Sequence, residues 1–165
     1  MDQVNTSPIS LREATLEDTE AIVAIYVESS NMSYEGRDPW REVTPARIIQ
    51  WRHDLSTATP TRWWAAEESG SIVGFIGIGP SRDLVEKGLG ELDTIAVAPT
   101  HWHRGIGKLM MVRAIEGLRE SGFNKAILWT HADYPLAERF YRSTGWVRSP
   151  YTRQSGKHVR YDFSL

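Results

Sequence analysis

The sequence predicts a mixed α/β domain. Three observations carry that expectation: short strand-like runs alternate with helical stripes along the chain, two of the runs meet at Ser69-Gly70 in a hairpin signal, and one apolar strand passes through a glycine-containing turn into a long amphipathic helix near Gly105. The element order read from these patterns is β, α, α, β, β, β, α, β, α, β, β, with no internal repeat and no linker.

Each element has its own reason. Ser10-Leu11-Arg12 is a short strand, and Thr15-Leu16-Glu17-Asp18 places a capping hydroxyl before a helix whose stripe is Ile22, Ile25 and Tyr26. The segment Asn31 to Glu42 carries Gly36 and Pro39 as breakers. A second helix starts at Thr44-Pro45, with Ile48, Ile49 and Trp51 leading toward Leu55. Arg62 to Glu68 and Ser71 to Ile78 pair antiparallel, and the second run is apolar on both faces, as a strand covered on both sides must be. The polar stretch Ser81 to Gly88 leads to a strand at Leu89 to Ala98, stopped by Pro99. The helix from about Gly105 carries Gly107, Met111, Ala114, Ile115 and Leu118 on one face and ends at Gly122. Ala126-Ile127-Leu128-Trp129 is a buried strand. Pro135 then opens a helix with Leu136, Ala137, Phe140 and Tyr141 on its apolar face, ending before Gly145. Trp146-Val147 and Val159 to Phe163 close the sheet.

Composition removes several function classes. A chain of 165 residues suits one domain, taken as residues 1–165. The net charge of -2 supplies no field toward nucleic acid or an anionic membrane, and neither is expected as a partner. The absence of cysteine excludes disulfides, thiolate zinc sites and a cysteine nucleophile. Met1 to Asn5 is polar without an apolar leader, and no run of about 18 apolar residues occurs, so a cytoplasmic protein is expected. His101 and His103 lie in a loop without a third ligand nearby, and no metal is expected.

The segment Val97-Ala98-Pro99-Thr100-His101-Trp102-His103-Arg104-Gly105-Ile106-Gly107-Lys108-Leu109 joins a buried strand to a helix N-terminus, which is an anion site. The first amides of a helix lack intrahelical acceptors and lie at the positive end of its dipole, so a diphosphate there gains hydrogen bonds from backbone alone. Gly105 permits close approach, Gly107 permits close packing of the helix, and Arg104 and Lys108 add charge.

This stretch resembles the acetyl-coenzyme A loop of the GNAT N-acetyltransferases, whose pattern is V-x-P followed by Arg or Gln and x-x-G-x-G or x-x-G-x-A. A second segment, Ala137-Glu138-Arg139-Phe140-Tyr141-Arg142-Ser143-Thr144-Gly145-Trp146, is similar to the family's A-x-x-F-Y-x-x-x-G-F helix and turn. The element order fits from Ser10 to Phe163. Trp102 stands where the family usually has Arg or Gln, and Tyr134 where many members have Asn. The resemblance implies the GNAT fold, a mostly antiparallel sheet of six to seven strands splayed at the coenzyme site and flanked by about four helices. It implies acetyl-CoA as co-substrate. Ile95, Ala96 and Val97 would face the pantetheine arm, and the amides of His103, Arg104, Gly105, Ile106, Gly107 and Lys108 the diphosphate. Tyr134, Ala137 and Tyr141 would line the coenzyme from the later helix.

Transfer to an amine requires a proton acceptor. An amine of pKa about 10.4 is mostly protonated at pH 7, which costs about 4.6 kcal/mol against attack. Glu91 and Asp93 lie two apart on one strand face and can share a cleft, where one carboxylate raises the pKa of the other. Glu91 also sits at the offset from the loop where histone-acetylating members of the family carry their base, so it is favoured, with Asp93 second. Tyr141 is expected to donate a hydrogen bond to the departing sulfur. Full proton transfer from its phenol to a thiolate is uphill by about 2 kcal/mol.

Acceptor recognition in the family falls largely on the segment between the first two helices, here with Tyr34, Glu35 and Trp40, and on the last strand pair; His131, just past the Trp129 strand, is a further candidate. The mixture suits a small polar amine: a metabolite, an antibiotic or, from a loose similarity of Ile25 to Ser30 to the phosphinothricin-type branch, a toxin. A protein or peptide amine, a diamine and a homodimeric assembly stay open, as does a domain that binds acetyl-CoA without catalysis. A dinucleotide site is disfavoured, because the turn lacks the first glycine of G-x-G-x-x-G and an antiparallel hairpin precedes it.

Overall fold

Ser69 and Gly70 carry positive φ values of 50° and 78°, the left-handed pair that a two-residue hairpin demands. They join β2 (Arg62–Glu68) to β3 (Ser71–Pro80) in a computed structural model that describes residues 7–83 and 86–165. The readings made on Met1 to Asn5, and on Leu84 and Val85 within the polar stretch, lie outside those residues. The other elements are β1 (Ser10–Glu13), α1 (Thr19–Ser33), α2 (Pro45–Asp54), β4 (Gly90–Val97), α3 (Ile106–Glu120), β5 (Lys125–His131), α4 (Pro135–Ser143), β6 (Val147–Arg153) and β7 (His158–Ser164), with 3-10 turns at Leu16–Asp18 and Pro99–His101. The order of elements is the one the patterns imply. Among the described residues seven strands follow the order β1-β2-β3-β4-β5-β7-β6, and four helices accompany them.

Contacts divide the chain into two compact units. The first holds the residues up to Gly77 together with Thr94–Met110. Here β1 pairs antiparallel with β2, Ser10 opposite Glu67 and Glu13 opposite Trp64. Asp18 closes the entry to α1: its carboxylate accepts from the Thr15 amide at 2.7 Å and from both terminal nitrogens of Arg12 at 2.7 Å. Thr44 caps α2 by accepting from the Arg47 amide, and Pro45 occupies the first helical position, where its missing N–H removes nothing. Trp51 is the helix's anchor, 5.2 Å from Trp63 and 5.3 Å from Phe75 between ring centroids, in a core with Ile22, Val23 and Ile25. Ile49, in the same helix, faces solvent at 69 % exposure. A 3.6-residue repeat sets it about a quarter turn from Ile48 and nearly half a turn from Trp51, outside the buried arc. Gly77 lies directly beneath the Trp63 ring, which occupies the place a side chain would take.

The second unit holds Ile78–Asp93 and Met111–Leu165. β5 pairs antiparallel with β7 along its whole length, from Lys125 opposite Ser164 to His131 opposite His158, and β7 pairs in turn with β6. β4 pairs parallel with β5, Gly90 opposite Ala126 and Glu91 opposite Ile127. Met111, Ala114, Ile115 and Leu118 are buried, as the stripe requires, and Gly90 lets Leu118 and Phe123 approach the strand. β6 runs to Arg153, well past the Trp146-Val147 read from sequence, because its residues are exposed and polar and carry no apolar alternation. One charge is fully enclosed. Arg160 donates to both carboxylate oxygens of Asp162, reaches Glu86 at 3.3 Å and Asp83 at 3.7 Å, and lies over the Tyr151 ring.

Candidate active site

In the first unit, β4 ends at the 3-10 turn and α3 begins at Ile106. The Gly105 carbonyl accepts from the Leu109 amide at 3.1 Å, so Gly105 is the capping residue. Helices are usually capped by Ser, Thr, Asp or Asn, whose side chain accepts from the second or third helical amide. Glycine has no such group, and the amides of Gly107 and Lys108 are left to an external acceptor. Gly105 has φ of 80° and no heavy atom within 4 Å of where a Cβ would stand, and His103 is left-handed at 61°. The bend therefore forms an open cradle whose donors are backbone, which fits an anionic group such as a diphosphate.

Two side chains near the cradle behave differently from the sequence reading. The Arg104 guanidinium binds Glu68, at 2.5 Å and 3.3 Å to its two carboxylate oxygens, while His101 Nε2 lies 2.9 Å from the same carboxylate. Its charge is thus matched within the protein, and the cation arriving with the turn is Lys108, which is exposed. Trp102, a departure from the family pattern, donates its indole N–H to the Val97 carbonyl at 2.7 Å and braces the strand end. The backbone alternates beside it. Ala98 donates to Val73 of β3, so Ala96, two residues earlier, turns its backbone the same way; Ile95 and Val97 turn theirs away from β3. Ala96 is buried in the core cluster.

In the second unit, Glu91 and Asp93 share one face of β4, with Leu92 buried on the other. The Glu91 carboxylate accepts from the Arg82 amide and the Ser81 hydroxyl. Burial nevertheless pushes it above the usual carboxylate range, helped by the charge of Asp93 and opposed by those two hydrogen bonds and by Arg153. Asp93 takes the Arg82 guanidinium at 3.0 Å. Arg82 thus touches both acids, through its amide and its side chain. Ser81, Arg82 and Arg153 were invisible as site residues in the sequence: two lie in a loop and one on an exposed strand, and no motif marks them. Glu91 is opposite Ile127, so Trp129 lies farther along the same face; Arg153 sits over the Trp129 ring at 4.3 Å, and His131 packs 4.6 Å from His158.

Tyr141 occupies the other face. Its ring lies 5.8 Å from that of Tyr161, which is opposite Leu128 and therefore points away from Ile127 and Glu91. The β4–β5 register comprises Gly90 opposite Ala126 and Glu91 opposite Ile127. Pro135 opens α4, and Tyr134 precedes it with its carbonyl accepting from Glu138. No residue of α4 is fully buried, so Ala137, Phe140 and Tyr141 present a half-covered apolar face. Of the acceptor candidates, Tyr34 terminates α1, Glu35 is exposed in the turn after it and Trp40 is 73 % exposed, all in the first unit; His131 is in the second.

A backbone anion cradle between a strand end and a helix start suits the diphosphate of a coenzyme, and the class of protein is an acyltransferase. The chain belongs to the acetyltransferase (GNAT) family, whose model matches residues 19–146. It is 27 % identical over 128 residues to the uncharacterized N-acetyltransferase YuaI of Bacillus subtilis, across 77 % of this chain and 74 % of that one. It is 27 % identical over 150 residues to an uncharacterized N-acetyltransferase of Archaeoglobus fulgidus, across 90 % and 99 %. Among solved structures, the fold matches an acetyltransferase from Salmonella typhimurium determined with its cofactor acetyl-CoA, with a TM-score of 0.77 at 19 % identity over 95 % of this chain and 94 % of that one. Among the described residues no helix is long and apolar enough to cross a membrane, and no group of three or more His, Asp or Glu side chains could hold a metal ion.

Proposed function

We propose that the protein transfers the acetyl group of acetyl-CoA to the primary amine of a small polar molecule, by direct attack with Glu91 as the base. The observation that carries this reading is the state of Glu91: a half-buried carboxylate held above its usual range by partial loss of solvent, on the strand that runs into the uncapped start of α3. The amides of His103, Arg104, Gly105, Ile106, Gly107 and Lys108 would hold the coenzyme's diphosphate. The backbones of Ile95 and Val97 would face its pantetheine arm, with Tyr134, Ala137 and Tyr141 beside it. When bound, the coenzyme supplies an activated acyl carbon and a thiol leaving group.

The chain's own residues supply the rest. Glu91 takes the amine proton, for which a raised pKa is an advantage, since a base works best when its pKa lies near the operating pH. The Arg82 amide and Ser81 hydroxyl hold the carboxylate in one orientation. Asp93, matched by Arg82, keeps negative charge beside Glu91. Tyr141 offers a phenol O–H to the negative charge that develops on sulfur. Tyr34, Glu35, Trp40 and His131 remain the acceptor-side candidates. The test is free-thiol release from acetyl-CoA across a panel of amino acids, polyamines, aminoglycosides and peptides. Release with at least one class supports the reading; tight binding of NAD with no binding of coenzyme A ends it.

A further inference from the structure

Arg153 stands apart from the other cations on the Glu91 face. Arg82 is matched by Asp93, and Arg160 and Lys125 share Asp83, Glu86 and Asp162. Arg153 is exposed, its guanidinium carbon lies 4.3 Å over the centroid of the Trp129 ring, and no salt bridge joins it to a carboxylate among the described residues. Stacking fixes a guanidinium while leaving its in-plane N–H groups pointing outward, the geometry that binds a carboxylate through two parallel hydrogen bonds. The register accounts for its position. Arg153 is opposite His158, His158 is opposite His131, and two residues back along β5 is Trp129, on the face that Glu91 shares through Ile127. Arg153 is also close enough to Glu91 to stabilise its carboxylate electrostatically.

We infer that Arg153 binds an anionic group on the acceptor whose amine Glu91 deprotonates, so that the substrate class is an amine that also carries a carboxylate, of the amino-acid kind. This rests on the transferase reading above. A base and a cation without a salt bridge, on one face of the sheet, complement a molecule bearing an amine at one end and an acid at the other. A polyamine or aminoglycoside would bring further positive charge against Arg153, so those classes are disfavoured by the same geometry.

The experiment compares free amino acids with their carboxamides as acceptors, reading thiol release by the parent protein, Arg153→Met, Arg153→Lys and the surface control Arg148→Met. The parent should prefer the acid to its amide in kcat/KM by about ten-fold or more, the range of a charge-assisted bidentate contact. Arg153→Met should erase most of that ratio through KM, Arg153→Lys should restore part of it, and Arg148→Met should leave it intact. Arg153→Met should also move the acidic limb of the pH profile upward, because Glu91 loses a stabilising charge. Turnover with equal preference for acid and amide, or an Arg153→Met loss equal for both, overturns the assignment of Arg153 while leaving the transferase reading standing. Absence of thiol release with every amine overturns both.

Discussion

Arg160 binds Asp162 through two hydrogen bonds, Nε to Oδ1 at 2.7 Å and a terminal nitrogen to Oδ2 at 2.9 Å, while the arginine side chain is 1 % exposed. Breaking a buried pair by removing one partner leaves the other charges uncompensated. Arg160→Met should destabilise the protein by about 3 kcal/mol, read as a lowered midpoint in urea. An unchanged midpoint would mean that the enclosed charges contribute nothing. Because Asp83 and Glu86 flank the loop whose Ser81 and Arg82 hold Glu91, turnover should fall as well.

Glu91→Gln removes the base and keeps the shape. Turnover at neutral pH should fall by about 10²–10⁴-fold, and the deficit should shrink at high pH, where the amine is already neutral. An equal deficit at every pH would contradict the base role. Stability should move the other way. A carboxyl whose folded pKa lies above its unfolded one favours folding when protonated, and that contribution is lost as pH rises through the folded value. The variant should therefore melt above the parent at about pH 7 and gain little at about pH 4.

Asp93→Asn tests how far the second carboxylate lifts the first. Its charge raises Glu91, so the acidic limb of the pH–rate profile should shift to lower pH in the variant. A limb that stays in place would leave burial as the sole cause.

Tyr141→Phe should reduce kcat while leaving the Kd for coenzyme A nearly unchanged, measured by calorimetry. The ring keeps its packing against Tyr161 and Phe140, and only the hydroxyl is lost. An unchanged kcat would move the leaving-group role to another residue.

Gly105→Ala meets no atom, but a non-glycine residue at φ of 80° is strained by about 1–2 kcal/mol. The relaxed backbone would turn the first amides of α3 out of line, so acetyl-CoA binding should weaken by about ten-fold. Full affinity in the variant would show that the cradle does not depend on the left-handed bend.

The sequence was most informative where local rules act alone. Thr44-Pro45, Ser69-Gly70, Gly105 and Gly122 each mark a boundary by conformation or by a missing N–H, and the elements begin and end there. Glu91 and Asp93 were legible because alternation along a strand is strict. Arg82 and Arg153 were not legible, since their roles come from a loop folded back on β4 and from β6 laid beside β7. Such contacts, from Arg153 opposite His158 to Arg153 beside Glu91, arise from chain reversals and tertiary packing, and no local period records them.

Both edge strands of the sheet are unsuited to accept another strand. β1 has four residues and carries Arg12 and Glu13. β6 presents Arg148 and Arg153, breaks its ladder between Arg148 and Thr152, and contains Pro150, which has no N–H to donate. Copies of this protein at high concentration should therefore resist strand-to-strand stacking into fibrils.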